Sequence, residues 1–200
     1  DRLKDNMWGY NRHTDQTVNI YSAFLQNEWK NDRWGILIGG RLDKHNMVDN
    51  VIFSPRANLR FNPTQNINLR LSYSSGFRAP QAFDEDMHIE NVGGTVAMIE
   101  RAKDLKEEKS QSFSVSADMY HRFGAFQTNL LIEGFYTRLT DVFVLGKPYD
   151  RGDGILVKTR SNGPGAKVMG LTLEGKVAYL SILQIQAGLT LQRSRYDEPH

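Results

Sequence analysis

The sequence predicts an all-β fold, an antiparallel up-and-down meander of about eight long strands. Two observations predict it. Apolar and polar residues alternate with period 2 along most of the chain, and the connections between alternating segments are short and long by turns. A strand sends successive side chains to opposite faces, so each segment has one apolar and one polar face. A helix would need apolar residues at i, i+3 and i+4, which these segments do not supply.

The first segment, 17–30, turns through Asn31-Asp32 into the second, 33–45. The third, 51–62, passes through Asn62-Pro63-Thr64-Gln65 into the fourth, 66–77, where Ile67, Leu69, Leu71 and Tyr73 alternate with Asn68, Arg70, Ser72 and Ser74. In the fifth, 109–122, Phe113, Val115, Ala117 and Met119 alternate with Ser112, Ser114, Ser116 and Asp118. Phe123-Gly124 leads to the sixth, 125–146. The seventh, 155–180, carries Leu171, Leu173 and Val177 against Thr172, Glu174 and Lys176, and Ser181-Ile182 leads to the eighth, 183–196. The other connections, 44–50, 78–108 and 147–154, are longer, and residues 97–109 within the longest read as a short helix.

Short turns at one end and long loops at the other are the plan of a transmembrane β-barrel. Aromatic residues near strand ends, Trp29, Trp34, Phe61, Tyr73, Phe77, Tyr120, Phe123, Phe126, Phe143 and Tyr179, read as an interfacial girdle. The alternation itself does not choose a sense. A soluble barrel turns its apolar face inward, and an outer-membrane barrel turns it to lipid.

Composition excludes several classes. The 200 residues hold 25 Lys and Arg against 23 Asp and Glu, a net charge of +2 that is too balanced for a nucleic-acid coat. Without cysteine there is no disulfide framework, thiolate metal site or cysteine nucleophile. No apolar run is long enough for a transmembrane helix. The opening Asp1-Arg2-Leu3-Lys4-Asp5 has neither Met nor a leader, which is expected of an excised portion of a longer protein.

Four blocks, in order, carry a family resemblance. They are Tyr21–Trp29 leading to Gly39-Gly40-Arg41-Leu42-Asp43 and Ser54-Pro55-Arg56; then Leu69–Pro80 with its Gly76-Phe77-Arg78-Ala79-Pro80 ending; then Leu105-Lys106-Glu107-Glu108-Lys109-Ser110; then Asn162 followed by Gly170-Leu171-Thr172-Leu173-Glu174. Together they resemble TonB-dependent outer-membrane receptors. Glu107 stands where that family usually has Pro, and Thr172 where an acid is commoner.

The resemblance implies that residues 1–200 are part of a large transmembrane β-barrel of about 22 strands with a plugged lumen. The plug domain and the final strand would lie outside the segment. It implies a receptor and transporter for TonB-energised uptake of a scarce nutrient such as an iron-siderophore, haem or cobalamin. The expected partners are outer-membrane lipid, the extracellular nutrient chelate, and TonB through an N-terminal region outside these residues. No nucleic acid, cofactor or enzymatic activity is expected. A piece with two open edge strands is expected to self-associate, curl closed or sit in a larger complex. The alternative is a small closed eight-strand barrel that binds a small ligand. An outer-membrane enzyme would need a nucleophile, base and orienter that the sequence does not display.

Candidate residues follow from position and chemistry. Within the family-like block, Gly76, Phe77, Arg78, Ala79 and Pro80 read as structural: Pro80 ends ladder pairing, and Arg78 reaches the rim with a fork suited to a carboxylate. Cargo-contact candidates are Arg78, Asp84, Glu85, His88, Tyr149 and Arg151. Asp84, Asp86 and His88 are the candidates for a metal, although their spacing is not that of an EF-hand and an acidic solvated loop is the plainer reading. His45 and His88, placed in two outer loops, are candidates for a haem iron.

Overall fold

The computed structural model describes residues 2–7, 12–80, 90–92, 95–152, 154–180 and 182–198. The chain begins with a hairpin of β1 (Arg2–Met7) and β2 (Arg12–Thr17), which the alternation did not reveal. Four long strands follow: β3 (Ile20–Lys30), β4 (Trp34–His45), β5 (Ile52–Thr64) and β6 (Ile67–Arg78). Then come the short β7 (Glu90–Val92) and β8 (Thr95–Arg101), the long β9 (Glu108–Phe123) and β10 (Phe126–Thr140), and the short β11 (Phe143–Leu145), β12 (Tyr149–Asp150) and β13 (Leu156–Asn162). Two long strands finish the chain, β14 (Ala166–Tyr179) and β15 (Leu183–Tyr196).

The eight long strands form one antiparallel sheet in the order β15-β14-β10-β9-β6-β5-β4-β3, the expected meander once the short strands are set aside. Its two ends, β3 and β15, do not pair with each other, so the eight strands do not close into the small barrel of the alternative reading. The short strands β7, β8, β11, β12 and β13 form a second sheet at the long-loop end, with β13 parallel to β8.

Three expectations are corrected here. Residues 97–109 are not helical: β8 occupies 95–101 because β13 offers it a parallel ladder, and tertiary pairing overrides local propensity. The single segments 125–146 and 155–180 are each broken in two. Asp141 adopts φ 54, a left-handed conformation that Asp tolerates better than most residues, and this ends β10. Residues 163–165 separate β13 from β14, with the Gly163 N–H donating to the Val142 carbonyl at 2.7 Å. At these breaks both strands leave the long sheet and enter the rim sheet.

The two faces of the long sheet differ in burial. In β9, Phe113 and Val115 are 47% and 58% exposed, while Ser110, Ser112, Ser114 and Ser116 on the other face are half-buried. β14 repeats this, with Met169, Leu171 and Leu173 exposed and Thr172 and Glu174 half-buried. No second layer of structure covers the serine face among the described residues. Its lower exposure therefore comes from curvature: the polar face is concave and the apolar face convex. Lipid on the apolar side and a wet lumen on the other satisfy both faces.

Aromatic rows bound the apolar face. At the tight-turn end Trp34 stacks on Phe61 at 4.2 Å, and Phe126 sits 4.9 Å from Tyr179 and 5.6 Å from Phe123. Toward the other end Tyr73, Phe113 and Tyr136 lie side by side in register, with 4.8 Å between the first two rings. Phe113 and Phe123 share one strand and one face. Ten residues at about 3.4 Å, tilted roughly 40°, give a band about 25 Å tall, the height such barrels present to lipid. Three residues expected in the girdle are elsewhere. The Tyr120 hydroxyl donates to Asp118 Oδ2 at 2.8 Å on the concave face. Phe143 belongs to the rim sheet. Phe77 packs on the buried cluster of Val48, Ile52 and Ala79.

Candidate functional site: the concave wall and its rim

The concave face is built by strand register. Across β4, β5 and β6 it carries Arg41, Arg56, Arg60, Arg70 and Arg78, because each is opposite a residue of the same face on its neighbour. Across β9, β10 and β14 the same face carries Glu108, Asp118, Glu133 and Glu174. The first half of the wall is strongly basic; the second carries these four acids with two cations, Arg122 and Lys176, on the same face. A cleft of about 590 Å³ lies on the basic half, lined among others by Gln26, Arg41, Arg56, Asn58, Ser72 and Ser74.

The acid on the basic half is held tightly. Asp43 is 1% exposed, accepts the Ser22 hydroxyl at 2.5 Å through Oδ1, and accepts Arg41 Nε at 2.8 Å through Oδ2. Arg41 and Asp43 are i and i+2 on one strand, hence on one face. Arg70 donates Nε to Asn68 Oδ1 at 2.8 Å. Arg56 is exposed on this face, and the Arg60 guanidinium lies across Gly35, where an added Cβ would meet its Nε at 3.3 Å. Sequence reasoning missed this row. The signal was present as arginines on the polar positions of three successive segments.

At the rim, the end of β6 meets the short sheet. The Arg78 guanidinium carbon is 5.5 Å from the Phe143 ring centroid, a cation–π arrangement, and Arg78 is in register with Glu108. Glu108 Oε2 accepts the Phe143 N–H at 2.9 Å. Gly76 pairs with Ser110, and Ala79 and Pro80 are buried. The Pro80 carbonyl accepts Arg101 Nη1 at 2.8 Å, which ties β6 to β8. Asn162 joins three segments: its Oδ1 accepts the Lys106 N–H at 2.8 Å, and its Nδ2 donates to the Lys106 and Asp141 carbonyls at 3.1 and 2.8 Å. The motif residues Arg78, Glu108 and Asn162 thus meet where the long sheet hands over to the rim.

The other candidates fall as follows. Tyr149 is exposed on β12, and Arg151 Nη1 is 3.6 Å from Glu100 Oε1. Asp84, Glu85, Asp86 and His88 lie outside the described residues. His45 is not a loop residue. It ends β4, is 1% exposed, and its Nδ1 accepts the Met47 N–H at 3.0 Å, so that nitrogen and the buried ring are unavailable to a haem iron. Among the described residues, no three His, Asp or Glu side chains gather as a metal site would require.

In the outer hairpin, Arg2 grips Asp15 through Nε and Nη2 at 3.0 and 2.6 Å, and this hydrogen bonding holds the Asp15 carboxyl below its usual range. Asp197, just past β15, is likewise held low by Lys167 Nζ at 2.6 Å.

The wall matches solved structures. The siderophore receptor PirA of Pseudomonas aeruginosa superposes with a TM-score of 0.78 at 16% identity, covering 93% of this chain and 36% of that one. The ferric enterobactin receptor PfeA of Pseudomonas aeruginosa gives a TM-score of 0.69 at 19% identity over 91% of this chain and 27% of its own. The FrpB iron transporter of Neisseria meningitidis gives 0.67 at 18% identity over 92% and 27%. The chain spans 27% to 36% of the length of these structures. No curated protein sequence matches it. The family described as TonB dependent receptor-like, beta-barrel matches residues 3–199, and its members reside in the outer membrane of Gram-negative bacteria. The chain belongs to the TonB-dependent receptor β-barrel family.

Proposed function

We propose that this segment is part of the barrel of an outer-membrane receptor that imports a scarce, anionic ferric chelate with energy delivered through TonB. The observation that carries the reading is the arginine row of β4, β5 and β6. On the concave face of β4, β5 and β6, Arg41, Arg56, Arg60 and Arg70 stand with one carboxylate of those strands, Asp43, that is already engaged by Arg41 and Ser22, and the flanking strands add Glu28 and Asp118. A polyanionic chelate finds there several forked donors in a confined cleft, where charge-assisted hydrogen bonds are strongest. The names of the solved relatives, a siderophore receptor, a ferric enterobactin receptor and an iron transporter, point the same way. Transport breaks no bond, so the segment acts by binding and guiding. The open edges of β3 and β15 are completed by further strands of the same receptor, and TonB engages a region beyond this segment.

The test is uptake by cells whose sole receptor of this kind is the full-length protein. Labelled ferric catecholate and hydroxamate chelates, haem and cobalamin are offered in turn. The expected result is uptake of a ferric chelate, with Arg56→Gln weakening its binding about tenfold through loss of one charge-assisted contact. Uptake of cobalamin or haem alone, unaffected by that substitution, would overturn the assignment.

A further inference from the structure

The arginines of the concave face are not equivalent. Register pairs Gly39 with Arg56 and Arg41 with Ser54, so Arg41 and Arg56 hold one diagonal of a cell between β4 and β5, and Gly39 and Ser54 hold the other. Diagonal neighbours of this kind are roughly 7 Å apart, close enough for two long forks to converge on one group. The remaining corners leave the space between them open. Ser54 is small and buried, and Gly39 has no side chain; a Cβ there would meet the Leu25 carbonyl oxygen at 3.0 Å. β4 and β5 each have a paired neighbour on both sides, so described strands enclose the cell. Both arginines line the cleft of about 590 Å³.

Arg60 and Arg70 are placed differently. They stand directly opposite each other. Arg60 is four residues beyond Arg56 on β5, about 13 Å closer to the tight-turn end. Neither lines the cleft. Arg60 lies across Gly35, and Arg70 donates its Nε to Asn68.

Asp43 decides how Arg41 is presented. It lies two residues further along β4 on the same face, accepts Arg41 Nε through Oδ2, and accepts the Ser22 hydroxyl through Oδ1. Held at Nε, the Arg41 guanidinium keeps both terminal nitrogens for another partner, and its side chain is 53% exposed. Asp43 itself is too deeply buried to meet a ligand in the cleft. Arg56 is exposed, and no side chain among the described residues pairs with it. Glu28, on the same face of β3, is opposite Leu37 rather than Gly39 and does not line the cleft. A carboxylate that fixes the plane of a guanidinium beforehand lowers the ordering cost when the ligand binds.

We propose that Arg41 and Arg56 grip one charged oxygen group of the cargo between them, that Asp43 is the positioning residue for Arg41, and that Arg60 and Arg70 serve the wall. This deepens the anionic-chelate reading and rests on it. The oxygen group is a carboxylate or an iron-bound catecholate oxygen, both anionic acceptors for a forked donor.

The test measures binding to the full-length receptor purified in mild detergent. The probes are a ferric tricatecholate, a ferric polycarboxylate and an uncharged ferric trihydroxamate. Arg41→Gln and Arg56→Gln should each weaken binding of an anionic probe about tenfold, and Arg60→Gln or Arg70→Gln by less than about twofold. Whichever anionic probe shows this ranking identifies the oxygen group. Asp43→Asn should weaken binding about threefold, and that loss should vanish in the Arg41→Gln background while persisting beside Arg56→Gln. A merely structural lesion would add to both. Heat-modifiable gel mobility reports that each barrel is folded. Should Asp43→Asn fail to fold, Ser22→Ala takes its place in the cycle, and the ranking of the four arginine variants decides the site. Equal losses from all four arginine variants, or an Asp43→Asn loss undiminished in the Arg41→Gln background, would overturn the proposal while leaving an anionic cargo standing. Binding of the trihydroxamate alone would overturn the cargo reading and this site with it.

Discussion

In the long sheet Leu171, Leu173, Leu189 and Leu191 are 44% to 62% exposed, whereas in the rim sheet Met98 and Val157 are 1% and 0% exposed. The same classes of side chain are placed under opposite rules a few residues apart along one chain. In the rim sheet β8 and β13 pair in register, and Met98 and Val157, opposite each other, are both buried. Away from the buried cluster that Ile52 and Phe77 make with Val48 and Ala79, the long sheet's apolar face is satisfied by lipid and its polar face by the lumen. The handover occurs at Asp141 and at residues 163–165, where β10 and β14 stop and β11 and β13 begin. The contrast teaches that exposure of an apolar residue is a defect only relative to a solvent, and this molecule uses two.

The contrast can be broken first at the rim. Met98→Ala should remove buried contacts that nothing replaces and destabilise the rim sheet by about 2–5 kcal/mol. Hydrogen exchange on the full-length receptor should then show lost protection in β8 and β13 and none in β9 or β14. Equal loss in both sheets would mean that they are one cooperative unit. The next effect is in the wall. Leu173→Arg, near the middle of the apolar band, should cost about 2–4 kcal/mol in lipid. Thr172→Arg, one residue away on the lumenal face, should cost far less. Denaturant titration in vesicles reads both, and a reversed order would invert the assignment of faces. The smallest effect is at the junction. Asn162→Ala removes the hydrogen bonds to Lys106 and Asp141 and should cost about 1–3 kcal/mol, seen as faster proteolysis within 102–107. An unchanged cleavage rate would show that β13 is held by its ladder alone.

The sites where sequence reading succeeded and failed divide along physical lines. Tight turns and long strands were legible because alternation and turn residues are local: β15 runs over 183–196 as expected, and β4, β5, β6 and β9 begin and end within about two residues of expectation. The break at Asp141 was not legible, since no glycine or proline marks it, whereas Asn162-Gly163-Pro164-Gly165 is itself a loop or bulge signal, although the segment 155–180 runs across it. Residues 97–101 were misread because their ladder partner, Leu156–Arg160, is far away in sequence. The family-like block at 76–80 led to the rim through Arg78, but its neighbours Glu108, Phe143 and Asn162 become a cluster only when three strands meet. The Ser22–Asp43–Arg41 network needs two strands in register, so Asp43 looked like any exposed acid. His45 looked like a loop histidine because nothing local shows that a strand extends to it and buries it.

Alternation by itself determined that the strands have one apolar and one polar face, and the spacing of turn residues determined that they run as a meander with loops gathered at one end. Which face meets lipid was left open by the pattern, because a period of two is the same read from either side. The tertiary structure decided it by curvature: the face that carries the arginines is concave, with the serines of β9 half-buried, and the leucine and aromatic face is convex and bounded by rings at both ends. A sheet can bend only one way at a time, and the direction of that bend is a property of the paired strands that no single strand carries.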